Sequence, residues 1–115
     1  MEERRQETRE KMRAFTPVYD SHPRTLLGYL ADLTLHGVMV IGEKPLDIDR
    51  LGILAIEFPD NLPDISPTHI KIPARVARCT QDNTSPKYYN IGFEFTEVKP
   101  EHEKLIKAIL KGYHF

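Results

Sequence analysis

The sequence predicts a mainly β fold: a six-stranded antiparallel barrel or sandwich, followed by one C-terminal helix and preceded by a charged arm. Three observations predict it. Short β-branched and aromatic runs recur about every dozen residues, separated by Pro-, Gly- and Asp-rich turns. The runs at 69–79 and 88–95 alternate apolar and polar residues with a period of two. The last fifteen residues switch to a helical period.

Residues 1–13 (MEERRQETREKMR) carry no apolar period, and Met12 is their one large apolar side chain after the start. Arg5, Arg9 and Arg13 would share one helical face, where like charges repel. This segment is expected to be a flexible arginine-rich arm that orders when an anion arrives, with residues 14–115 forming the single folded domain. The first strand spans Ala14–Asp20, and Pro17 limits it to an edge or a bulge. Asp20-Ser21-His22-Pro23 reads as a turn. In the second strand, Thr25–Thr34, strict alternation puts Leu27, Tyr29, Ala31 and Leu33 on one face. Gly28, Leu30, Asp32 and Thr34 fall on the other. Gly28 marks a bend or a close backbone approach, and Gly37 marks a positive φ or a contact with a neighbour.

Val38–Ile41 is the third strand. Leu51–Phe58 is nearly continuous in apolar residues, and its flanking turns favour a strand over a short helix. Residues 60–68 form a loop containing Pro63 and Pro67. In His69–Cys79, Ile70, Ile72, Ala74 and Val76 should face in and Lys71, Arg75 and Ala77 out. Residues 81–86 make a hairpin loop, and Tyr88–Phe95 is the sixth strand. The helix starts near Pro100, with Glu101 and Glu103 at the positive end of its dipole. Leu105, Ile106, Ile109, Leu110 and Tyr113 form its apolar stripe, and Gly112 can end it.

Several function classes are set aside. The formal net charge of −1 argues against general polyanion binding, so any anion site must be local. A single-strand nucleic-acid platform would rest on Lys87-Tyr88-Tyr89 alone. The five histidines are scattered singly, and no metal-ligand spacing, Gly-rich phosphate loop or nucleophile motif is present. No metal or cofactor and no enzymatic activity are expected. One cysteine, Cys79, fits a reducing compartment. With no long apolar run and no signal sequence, a cytoplasmic protein of bacterial type without membrane insertion is expected.

Chemistry concentrates in two stretches. Arg4, Arg5, Arg9 and Arg13 offer planar forks suited to phosphate and to the O6/N7 edge of guanine. The corner Asp32-Leu33-Thr34-Leu35-His36-Gly37 offers a carboxylate for guanine N–H groups, a hydroxyl, and a glycine that admits close approach. The two are expected to meet around one small, flat, doubly anionic ligand.

An R-x-x-x-R pair ahead of the first strand, followed by D-x-S-x-x-G at the end of the second, resembles the signature of the PilZ family of bacterial cyclic di-GMP receptors. Here the pair is Arg9-Glu10-Lys11-Met12-Arg13, because Arg13 abuts the first strand, and the second motif is Asp32 to Gly37 with threonine in the serine position. Ala74-Arg75-Val76-Ala77-Arg78, Asn90-Ile91-Gly92-Phe93-Glu94-Phe95 and the closing helix extend the likeness. The resemblance implies a six-stranded barrel binding cyclic di-GMP as one molecule or an intercalated pair. Arg9 and Arg13 would grip phosphate and guanine, and Asp32, Thr34 and Gly37, with His36 in the same motif, would line a second guanine site. Arg4 and Arg5 become auxiliary cations, and Arg78 sits where some members stack a residue on a base. The Thr34 methyl is expected to weaken binding by about 1 kcal/mol through crowding. The implied role is a non-enzymatic receptor that signals to a protein partner in motility, adhesion or exopolysaccharide output. The rival is an adaptor of the same fold that binds no nucleotide.

Overall fold

The computed structural model describes residues 16–21, 24–58 and 69–112. Six strands, β1 (Pro17–Ser21), β2 (Arg24–Leu33), β3 (Gly37–Gly42), β4 (Leu51–Glu57), β5 (His69–Gln81) and β6 (Tyr89–Phe95), precede one helix, α1 (Pro100–Gly112). Of the two architectures predicted, the barrel is the one formed: the strands close in the order β1-β2-β3-β6-β5-β4, every pairing antiparallel. Closure leaves no unpaired sheet edge.

Alternation fills the interior. Val18, Leu30, Val40, Ile72, Val76 and Ile91 are almost fully buried. The inward set predicted on β5 is correct, with Ile70, Ile72, Ala74 and Val76 all in the core. The ambiguous run at 51–58 is a strand. Three consecutive residues, Leu54, Ala55 and Ile56, are buried there, because small Ala55 faces outward between its cross-strand partners Tyr19 and Lys71.

On β2 the strict alternation fails. The register with β3 slips between Leu30, opposite Val40, and Asp32, opposite Met39. The extra residue, Ala31, forms a bulge, after which every side chain changes face. Leu33 therefore joins Leu30 in the core instead of sharing a face with Tyr29, and Asp32 turns outward. Asp20, expected at the end of the first strand, pairs with Thr25 in the β1–β2 ladder, and Ser21, expected in the turn that follows, extends that ladder opposite Arg24. Asp20 is 8% exposed and accepts a 2.7 Å ion pair from Arg50, thirty positions away. Residues 22 and 23 lie outside the described residues.

Gly28 has φ 155°, and a Cβ there would collide with the Ile41 carbonyl oxygen. The expected close approach is met. On α1, Ile106 and Ile109 are buried in the barrel's own core cluster, flanked by half-buried Leu105 and Leu110. The helix starts at Pro100 as predicted and spans Pro100–Gly112; Tyr113, expected on its apolar stripe, lies outside the described residues. Its first turn holds one feature not expected from the sequence: the Lys99 N–H donates to His102 Nδ1 at 3.1 Å. This is the reach-back half of a capping box, with an imidazole in the usual Glu position.

Candidate functional site

The corner between β2 and β3 is built on the Thr34 hydroxyl. Its Oγ1 accepts from His36 N–H at 3.1 Å and Gly37 N–H at 3.2 Å. The Thr34 N–H donates to the Gly37 carbonyl at 2.9 Å, closing the turn. The hydroxyl proton has only a 3.4 Å contact with the same carbonyl, too long to hold it firmly, so it remains available to an acceptor from outside. Serine or threonine suits this position because a short hydroxyl side chain can bond backbone two and three residues on.

Asp32 Oδ1 accepts from the Leu33 N–H at 2.9 Å. That bond anchors one oxygen of an exposed side chain and leaves Oδ2 with no hydrogen-bond partner among the described residues. At Gly37, a Cβ would run into the Phe93 carbonyl oxygen. This glycine is thus required by the close packing of β3 on β6. Of the two expectations for Gly37, contact with a neighbour is the one met, since positive φ among the described glycines occurs only at Gly28. His36 contributes its backbone as well: its carbonyl accepts from the Phe95 N–H at 2.9 Å and ties the corner to the end of β6.

The register extends the corner into a face. Asp32 lies opposite Met39, Met39 opposite Gly92, and Gly92 opposite Arg78. These four residues form one outward row across β2, β3, β6 and β5. A second bulge, between Val76 and Arg78, turns Arg78 outward as the first turned Asp32. The row thus runs between two bulges, with a carboxylate at one end and a guanidinium at the other, about 14 Å apart by three strand spacings. The Arg78 side chain lies over Gly92, its Nε and Nη2 within 3.9 Å of where a Cβ would be. Arg78 has no ion pair among the described residues. Arg75, one row away, donates to both Glu94 and Asp49. Glu94 first, then Asp49, holds its guanidinium above the ordinary arginine value. Arg75 is committed, and Arg78 is free for a ligand.

The structure thus brings Asp32, Thr34, His36, Gly37 and Arg78 onto one side of the barrel. Arg4, Arg5, Arg9 and Arg13 lie outside the described residues. Met39 and Gly92, which floor the row, were not singled out by sequence reasoning. The available signal was Gly92 itself, a glycine at an outward strand position where a side chain is normally gained at no cost. Among the described residues no cluster of His, Cys, Asp or Glu could hold a metal ion, and no helix is long and apolar enough to cross a membrane.

The PilZ domain family model matches residues 3–112. The chain belongs to the PilZ domain family. Three solved structures share its fold. The PilZ domain with c-di-GMP of YcgR from Escherichia coli has a TM-score of 0.60 at 15% identity, over 84% of this chain and 79% of that one. The Bacillus subtilis inhibitor of motility, MotI/DgrA, has a TM-score of 0.59 at 20% identity, over 84% of this chain and 45% of that one. Borreliella burgdorferi PlzA in complex with c-di-GMP has a TM-score of 0.53 at 16% identity, over 91% of this chain and 48% of that one. The PilZ chain spans about half the length of the last two. No curated protein matches it.

Proposed function

We propose that this PilZ domain is a non-enzymatic cyclic di-GMP receptor whose N-terminal arginines close over the β2–β3 corner when ligand binds. The observation that carries the reading is one hydrogen bond. The Leu30 N–H donates to the Thr16 carbonyl at 2.9 Å, so the chain enters β1 beside the residue two positions before Asp32. Arg13 is three residues upstream of Thr16 and Arg9 seven. Extended chain covers up to about 3.5 Å per residue, so both arginines have the reach to meet the Asp32 carboxylate across a ligand.

In this reading Arg9 and Arg13 grip phosphate and the guanine O6/N7 edge, with Arg4 and Arg5 adding positive charge. Asp32 Oδ2 accepts from guanine N1–H and N2–H. The Thr34 proton goes to a phosphate oxygen. Gly92 gives a base a flat floor, and Arg78 stacks on it. Ordering of residues 1–13 onto the 14–115 domain is the switch, and the changed surface is read by a cytoplasmic protein partner. Two of the related structures carry the same dinucleotide, and one relative is an inhibitor of motility, which supports a motility or surface-attachment output.

Calorimetric titration with cyclic di-GMP tests the reading. Arg9→Ala, Arg13→Ala and Asp32→Ala should each weaken binding about tenfold to a hundredfold, as expected for loss of a charge-assisted hydrogen bond. Tight binding that survives all three changes places the ligand elsewhere. No heat with the unmodified chain, together with a partner retained without nucleotide, selects the nucleotide-independent adaptor.

A further inference from the structure

The barrel presents a second exposed face, on β4 and its neighbours β5 and β1, which the candidate ligand site does not use. Leu51 is 70% exposed and Ile53 39% exposed, both pointing outward on β4. Ile53 lies opposite Pro73 of β5. Outward Tyr19 lies opposite Ala55 on one side and Leu26, 47% exposed, on the other. Together Leu51, Ile53 and Leu26, with Pro73 and Tyr19 beside them, place apolar side chains along and beside β4, around Ile53.

The two ends of the stripe carry opposite net charge. At the Leu51 end, Arg75 is bound by two carboxylates, Asp49 and Glu94, so the cluster is net negative. At the other end, Arg24 pairs with Glu57 at 2.5 Å and covers the Tyr19 ring at 4.0 Å. Lys71, outward opposite Ala55, makes that cluster net positive.

We propose that this face is a self-association surface, occupied by a second copy of the chain related by a two-fold axis at Ile53. A two-fold contact is isologous, so each patch must complement itself. Turning one β4 through 180° about Ile53 brings its Leu51 end, with the negative cluster, over the partner's Ala55 end, with the positive cluster. It does so twice. The positions of Leu51 and Ala55 are about 13 Å apart along the strand, so both end contacts form together with the apolar centre. A stripe of on the order of 300 Å² per copy falls short of the ~800 Å² per partner of a standard interface. The dimer is therefore weak and reversible. None of the four residues of the candidate ligand row, Asp32, Met39, Gly92 and Arg78, belongs to the stripe.

Sedimentation velocity of the full chain from 10 μM to 1 mM, without nucleotide, is the test. The chain should shift from monomer toward dimer across that range. Ile53→Glu should remain monomeric at 1 mM, with its thermal midpoint confirming the fold. Lys71→Glu, which puts negative charge at both ends, should weaken association about tenfold at low salt, with the difference shrinking as salt rises. As a geometric check that does not need the charged variant to fold, Ile53→Cys in a Cys79→Ser background should cross-link to itself with a short bis-maleimide. Facing sheets sit about 10 Å apart, within that reagent's span. Thr80→Cys, on β5 away from the stripe, should not cross-link. A monomer at 1 mM overturns the proposal, as does a dimer indifferent to Ile53→Glu or one that cross-links equally through Thr80→Cys. A monomer that binds a different protein through Ile53 also overturns it. These readings use no nucleotide, so they stand or fall separately from the ligand-binding reading.

Discussion

In the proposed reading Thr34 does two jobs with one hydroxyl, and the two separate by substitution. Its oxygen accepts from the His36 and Gly37 N–H groups, which serine can also do. Thr34→Ser therefore keeps the turn and removes the methyl that crowds a ligand. Cyclic di-GMP affinity should rise about fivefold by calorimetry, with the thermal midpoint unchanged. Thr34→Ala removes the acceptor, frees two N–H groups and should lose both affinity and stability, the latter by about 1 kcal/mol. The corner glycine, Gly37, and the row glycine, Gly92, separate in the same way. A Cβ at Gly37 meets the Phe93 backbone carbonyl, which cannot yield, whereas a Cβ at Gly92 meets only the Arg78 side chain at ordinary contact distance. Gly37→Ala should lower the midpoint sharply. Gly92→Val should leave it nearly unchanged while displacing the Arg78 guanidinium and weakening ligand binding, so paired melts and titrations of the two variants distinguish a fold glycine from a site glycine.

At the scale of elements, the hairpin between β5 and β6 is held by one carboxylate. Asp82 Oδ2 accepts from the Thr84 N–H at 3.1 Å, the Thr84 hydroxyl at 2.9 Å and the Ser85 N–H at 2.9 Å, while Oδ1 accepts from Asn90 Nδ2 at 3.2 Å. The bond from the Thr84 side chain first, then that from Asn90, pulls the Asp82 carboxyl below its ordinary value. A folded-state value below the unfolded one means that this contribution is complete above the unfolded carboxylate value, about pH 4. It is lost as pH falls through the lower folded value. The Thr84 and Ser85 amide resonances should therefore hold their positions from pH 7 to about pH 4 and move only below it. Asp82→Asn should show the acid-form shifts already at pH 7.

Elements also show where sequence pattern carries and where it stops. Local rules located every strand and the helix, because turn residues and alternation are local. The bulges at Ala31 and Ala77 were not legible. Nothing in Leu30-Ala31-Asp32 or Val76-Ala77-Arg78 marks an extra residue, since a bulge is set by the register with β3 and β6. The motif corner could thus be read from its own six residues, but the row that joins Asp32 to Arg78 through Met39 and Gly92 could not. The burial and ion pair of Asp20 were not legible for the same reason: its partner, Arg50, is far away in sequence.

On the scale of the whole molecule, stability and the proposed ligand response rest on different parts of the chain. The core is a single cluster shared by barrel and helix. Ile109→Ala, at a position with no exposure, should therefore cost about 2–5 kcal/mol in denaturant melts and unfold barrel and helix in one transition. The proposed receptor function draws on residues outside that cluster. Ligand that binds only the folded state stabilises it by about 2.7 kcal/mol at a hundred times its dissociation constant, so saturating cyclic di-GMP should raise the midpoint by several degrees. If the arm docks only with ligand, as proposed, the double variant Arg9→Ala/Arg13→Ala should melt at the unliganded midpoint of the unmodified chain, yet show almost no rise with ligand. A double variant that starts from a lower midpoint would show that the arm already stabilises the unliganded barrel. In that case ligand would act on a segment that is already docked, and the ordering step would not be the switch.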